Sequence, residues 1–235
     1  MSENMQMMME IGFNVFYLIF IWTLVIRMYL SKSYDPYRDR GAGRLFRLGF
    51  LLLAIGDTGH VGFRVWAYLL GSLDATVRIA GLEIPLVGAG ALSTAVLVTF
   101  LYLLMAEAER RRFNQPFNLL YLILFLSGIA RFVIMALPGN DWGSSVPPAE
   151  MSLYRNIPLT VLGLGLAIIM LFHARKKRDK FFTYLSILIF ISFAFYAPVI
   201  LFVQKVPMIG MLMIPKTIAY LLMAWAVYRS YFRRY

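Results

Sequence analysis

The chain has 235 residues, 60% of them hydrophobic, with a mean hydropathy of +0.71 and a formal charge of +11. Soluble domains usually run at about 45–50% apolar, so this excess excludes a water-soluble enzyme or a nucleic-acid-binding domain and assigns the positive charge to loops on one side of a bilayer. With no cysteine, disulfides, thiolate metal sites and iron–sulfur clusters are excluded as well.

A membrane helix needs about 20 mostly apolar residues, and seven stretches qualify. Their apolar runs are continuous rather than alternating, which predicts helices and not a barrel. The first, Glu10–Leu30, follows a Met-rich start (Met5, Met7, Met8, Met9) without a basic residue. That start does not resemble a cleaved signal peptide and reads as a short flexible tail. The second, Leu48–Leu70, carries Asp57, His60 and Arg64, spaced to share one helix face. The third, Ile84–Met105, offers Ser93 and Thr94. The fourth, Phe117–Leu137, carries Arg131. A Gly-, Ser- and Pro-rich connection, Pro138–Arg155, follows and is long enough to cap the bundle. The fifth, Asn156–His173, opens with Asn156 and Pro158. The sixth, Phe182–Val203, holds Tyr196 and Pro198, and the seventh, Met208–Tyr228, holds Pro215 followed at once by Lys216.

The loops set the direction. The connections 31–47, 106–116 and 174–181 and the C-terminal tail hold 16 basic residues, among them Lys32, Arg38, Arg110–Arg112, Arg175–Arg178 and Arg234. The other side holds Arg78, Arg155 and Lys205 against six acids. The positive-inside rule predicts an N terminus outside and a C terminus in the cytoplasm. The expectation is an all-α integral membrane protein, one domain over 1–235, multi-pass in a prokaryotic plasma membrane. Pro85-Leu86-Val87-Gly88 and Pro207-Met208-Ile209-Gly210 are alike. They suggest a 3+1+3 parallel repeat of units 10–112 and 156–235 joined by helix 117–137.

Charges inside a span are costly and point to function. Asp57 and Lys216 lie at nearly the same depth, and the economical expectation is that they pair. A buried lone ammonium tends to lose its proton and a lone carboxylate to gain one, whereas a pair keeps both charged. Arg64 and Arg131 lie further out, within reach of headgroups or of Glu83 and Asp141. Interior prolines free carbonyls one turn back, here those of Ala194 and Met211. Together Asp57, His60, Arg64, Arg131, Asn156, Tyr196 and Lys216 predict a polar, net basic cavity in the outer half of the bundle. Its ligand would be small and polar or anionic. A single intramembrane histidine, His60, does not make a metal site.

Seven helices with the N terminus outside resemble the layout of SWEET-type sugar transporters and of microbial rhodopsins. For the rhodopsins the resemblance adds Lys216 in the seventh span and Tyr196-Ala197-Pro198 in the sixth. It implies retinal on Lys216, although Leu212 stands where that family carries an aspartate and the third span has no acid. The reading taken forward is a small-molecule transporter or binding protein with no cofactor and the lipid bilayer as its surroundings. A retinal-free sensor and an intramembrane lipid-modifying enzyme using Asp57 and His60 are its alternatives. Catalysis is the less favoured, nucleic acid is no partner, and the oligomeric state stays open.

Overall fold

The structure, a computed structural model, describes residues 3–31, 40–79, 82–144 and 146–233. Lys32, Arg38 and Arg234 lie outside the described residues. Among those described, seven helices are long and apolar enough to cross a membrane. They are α1 (Glu3–Leu30), α2 (Arg40–Leu69), α3 (Leu86–Arg112), α4 (Leu119–Ala136), α5 (Ala149–Lys176), α6 (Lys180–Phe202) and α7 (Met213–Val227). Each helix packs on its neighbour in sequence, and α7 returns to α1, so the seven close into a ring, with α3 also touching α5 across it.

Several ends differ from the hydropathy reading, for local reasons. The Met-rich start is helical, because α1 begins at Glu3. Two short strands pair antiparallel, β1 (Thr76–Ile79) with β2 (Leu82–Pro85), with Arg78 facing Glu83. The alternation of Val77, Ile79, Leu82 and Ile84 is the strand period. The seventh span is composite. A 3₁₀ segment, Pro207–Leu212, precedes α7, and a π-helical turn, Tyr228–Phe232, follows it. Pro215 therefore sits in the first turn of α7, where no intrahelical amide is needed, and the Met211 carbonyl is not free but accepts from the Met213 amide. The two similar quartets take different conformations, one at the strand-to-helix junction and one in the 3₁₀ segment.

Capping fixes the shorter joints. Asn118 Oδ1 accepts from the amides of Leu120 (3.1 Å) and Tyr121 (3.3 Å) and starts α4. Asp179 Oδ1 does the same for Phe181 and Phe182 at the start of α6, while its Oδ2 takes Arg112 Nη2 at 3.1 Å. One carboxylate thus ties the end of α3 to the start of α6. This end of the ring is the basic end, and it is filled with rings. Phe46 lies 6.0 Å from Phe181, 5.9 Å from Phe182 and 5.6 Å from Tyr231, centroid to centroid. All four are buried, and their edge and tilted contacts suit aromatic quadrupoles.

At the opposite end α2 and α3 approach closely. A Cβ on Gly90 would stand 2.8 Å from the Gly59 carbonyl and 3.0 Å from His60 Cα, so only glycine allows this crossing, one turn from Asp57. The connection from Leu137 to Pro148 lies on the same end. Its Trp142 carbonyl rests on Gly88 in the first turn of α3, and Trp142 Nε1 donates to the Met135 carbonyl at 3.0 Å.

Candidate functional site

The end of the ring opposite the aromatic cluster contains a cavity of about 480 Å³. Its wall is built from α1, from the later halves of α2, α4 and α6 and the early halves of α3 and α5, and from the 3₁₀ segment with the start of α7. All seven residues singled out from the sequence line it: Asp57, His60, Arg64, Arg131, Asn156, Tyr196 and Lys216. The helices bring them together for the reason that predicted them, since charged groups on apolar helices turn from lipid toward the ring's interior.

Their partners differ from the expectation. Asp57 and Lys216 form no ion pair within 4.0 Å. Asp57 Oδ2 instead accepts from the Tyr17 hydroxyl of α1, and Oδ1 accepts from Thr94 Oγ1 of α3 at 2.6 Å. The close α2–α3 crossing carries Thr94 to the carboxylate, which explains why a hydroxyl won over the ammonium. Lys216 Nζ lies 3.9 Å from the centroid of the Tyr196 ring and 5.6 Å from that of Tyr220. It donates to no protein oxygen among the described residues. A cation over an aromatic face is attracted by the ring quadrupole, but its N–H groups stay unspent. Asp57 and Lys216 share the cavity wall without touching.

Neither Arg64 nor Arg131 reaches Glu83 or Asp141. Arg131 is only 2% exposed. Its Nη1 donates to Thr99 Oγ1 at 2.9 Å, a neutral partner, and its Nε has none. Arg64 Nε and His60 Nδ1 are likewise buried and without a partner. Arg155, also on the wall, donates through Nη1 to Asn140 Oδ1 at 3.3 Å and stacks 4.5 Å from the Trp142 ring. Trp142 is therefore a support for Arg155. The Tyr196 hydroxyl donates to Asn156 Oδ1 at 3.0 Å, and Asn156 Nδ2 donates to the Ser152 carbonyl at 2.7 Å. This relay fixes the ring on which Lys216 rests.

Tyr17 and Tyr220 are wall residues that sequence reasoning missed. Tyr220 shares a hydroxyl contact of 3.0 Å with the fully buried Tyr102 at the cavity floor. A second buried polar cluster was also missed, at the basic end. Glu109, with no exposed surface, accepts from the Tyr121 hydroxyl at 2.6 Å and meets His173 Nδ1 at 2.7 Å. α3 extends beyond Met105 to Arg112, so Glu109 lies within the bundle and not in a loop. No protein-family model, curated protein or solved structure matches this chain.

Proposed function

We propose that the chain is a multi-pass membrane protein that binds, and in its cycle moves, a small anionic solute. The gathering of basic loops at the other end of the bundle supports a cavity in its outer half. The observation that carries this reading is the charge on the cavity wall. Arg64, Arg131, Arg155 and Lys216 line it, none has a carboxylate within ion-pair distance among the described residues, and the single acid on the wall, Asp57, is already held by two hydroxyls. These four side chains carry about eighteen N–H donors by the ordinary inventory. Arg131 and Arg155 each spend one on a neutral side chain. In a bundle surrounded by lipid, a charge without compensation costs several kcal/mol. Solute oxyanions supply acceptor oxygens and negative charge together. The volume of about 480 Å³ falls within the range of about 300–1,000 Å³ usual for small-molecule pockets.

A melting experiment tests the reading. Purified protein in detergent is heated with sodium citrate, sodium phosphate or neutral sorbitol at matched ionic strength. At least one anion raises the melting temperature, and the gain disappears when Arg131→Gln is combined with Lys216→Met. Stabilisation by sorbitol, with neither anion active, overturns it. Uptake of labelled citrate into proteoliposomes then separates a transporter from a binding protein.

A further inference from the structure

Resting on that reading, we infer that the solute is an organic anion carrying two or three negative charges, a polycarboxylate or a phosphate ester, rather than a monovalent ion. The first ground is charge balance. Four cations against Asp57 leave an excess of three formal charges, His60 not counted. A monoanion would leave most of that excess uncompensated in low dielectric.

The second ground is placement. The four cations come from four different helices, α2, α4, α5 and α7, and all line the one cavity. A single carboxylate sets one negative charge and two oxygens against four cations. The third is size, because a cavity of about 480 Å³ is far larger than one water-sized ion, whose share of volume is about 30 Å³. The fourth is that three of the cations are held in place without being neutralised. Thr99 holds Arg131, Asn140 and the Trp142 ring hold Arg155, and the Tyr196 ring supports Lys216. Cations positioned beforehand reduce the ordering cost of binding. Asp57 then has a specific task. Its oxygens are occupied by Tyr17 and Thr94, so it does not block the cations, yet its charge sets the excess at three instead of four.

The test varies ligand charge and wall charge together. Binding of acetate, succinate and citrate to the full-length protein is measured calorimetrically at pH 7.5 and constant ionic strength. Wild type tightens by about tenfold for each added charge, the effect of roughly one further charge-assisted contact. Lys216→Met lowers the excess to two and removes the preference for citrate over succinate. Asp57→Asn raises the excess to four and strengthens that preference. Arg178→Ala at the basic end leaves all three affinities unchanged, which separates cavity binding from surface attraction. Equal affinity for acetate and citrate overturns the inference while leaving an anion site in place. No binding of any of the three, with cardiolipin also without effect, overturns the inference and the reading beneath it. Nanodiscs of phosphatidylcholine with and without cardiolipin, a doubly charged phosphate ester, locate the source. Stabilisation by cardiolipin with citrate inert assigns the charges to a headgroup, and the converse assigns them to a free solute; either supports the inference.

Discussion

At the basic end, Arg110 and Arg111 share Glu107 at 2.8 and 2.6 Å, Arg112 holds Asp179 at 3.1 Å, and His173 meets buried Glu109 at 2.7 Å. At the cavity end, Arg64, Arg131, Arg155 and Lys216 have no carboxylate in ion-pair reach among the described residues, and Arg131 is nearly inaccessible. Both ends are built from the same helices, so the contrast is not one of fold. Arg112–Asp179 and His173–Glu109 close joints from α3 to the start of α6 and to α5, while the Glu107 pairs lie within α3. At the second, Arg131 and Arg155 reach only the neutral Thr99 and Asn140, and Lys216 only aromatic rings, so the solute proposed above is what would neutralise them.

Substitutions at each end can break or sharpen this contrast. The largest loss is expected for Glu109→Ala. It removes the acceptor that the Tyr121 hydroxyl and His173 Nδ1 share among the described residues, and breaking such a buried arrangement costs about 3–5 kcal/mol. Reversible unfolding in mixed detergent would read this directly, and a loss under 1 kcal/mol would mean that the cluster is not a joint. Next comes Gly88→Ala, whose Cβ would collide with the Trp142 carbonyl. Backbone must move, at about 1–3 kcal/mol, and because Trp142 supports Arg155, anion binding should weaken along with thermal stability. Lys216→Met should act in the opposite sense. Without solute it should stabilise the protein by about 1 kcal/mol, since an uncompensated cation is replaced by a side chain of similar length. A destabilisation in the same melting assay would place Lys216 among the joints. A double-mutant cycle on Asp57→Asn and Lys216→Met should show coupling below about 1 kcal/mol, because the two groups act on each other without contact. Smallest is Glu107→Gln, at about 0.5 kcal/mol or less, since its two arginine partners are partly exposed.

How much was legible follows from the cost of what was buried. Seven spans stand out because each is a long apolar run, and Asp57, Arg64, Arg131 and Lys216 stand out because an ionised group in such a run is expensive. Which of them would touch depends on helix rotation and on neighbours that cost little to bury. Tyr17 and Thr94 look like ordinary span residues, and nothing in the sequence marks them as the partners of Asp57. Hence the Asp57–Lys216 contact was expected and is not found, although both groups face one cavity. The strand pair β1–β2 was hidden because Ile84 and Pro85 merge with the apolar run that follows. Glu109 was hidden because three arginines after it look like a loop, while α3 continues through them.

The packed rings of Phe46, Phe181, Phe182 and Tyr231 bear on the rate of any passage across the bundle. Interiors at native density do not open by one side chain changing rotamer, because each ring is blocked by the next. A solute leaving through that end requires whole helices to tilt apart and the Arg112–Asp179 clasp to release. Such rigid-body rearrangements run on microsecond to millisecond or longer timescales, so the transport proposed above would proceed one molecule per cycle, at the pace of a carrier and not of a channel.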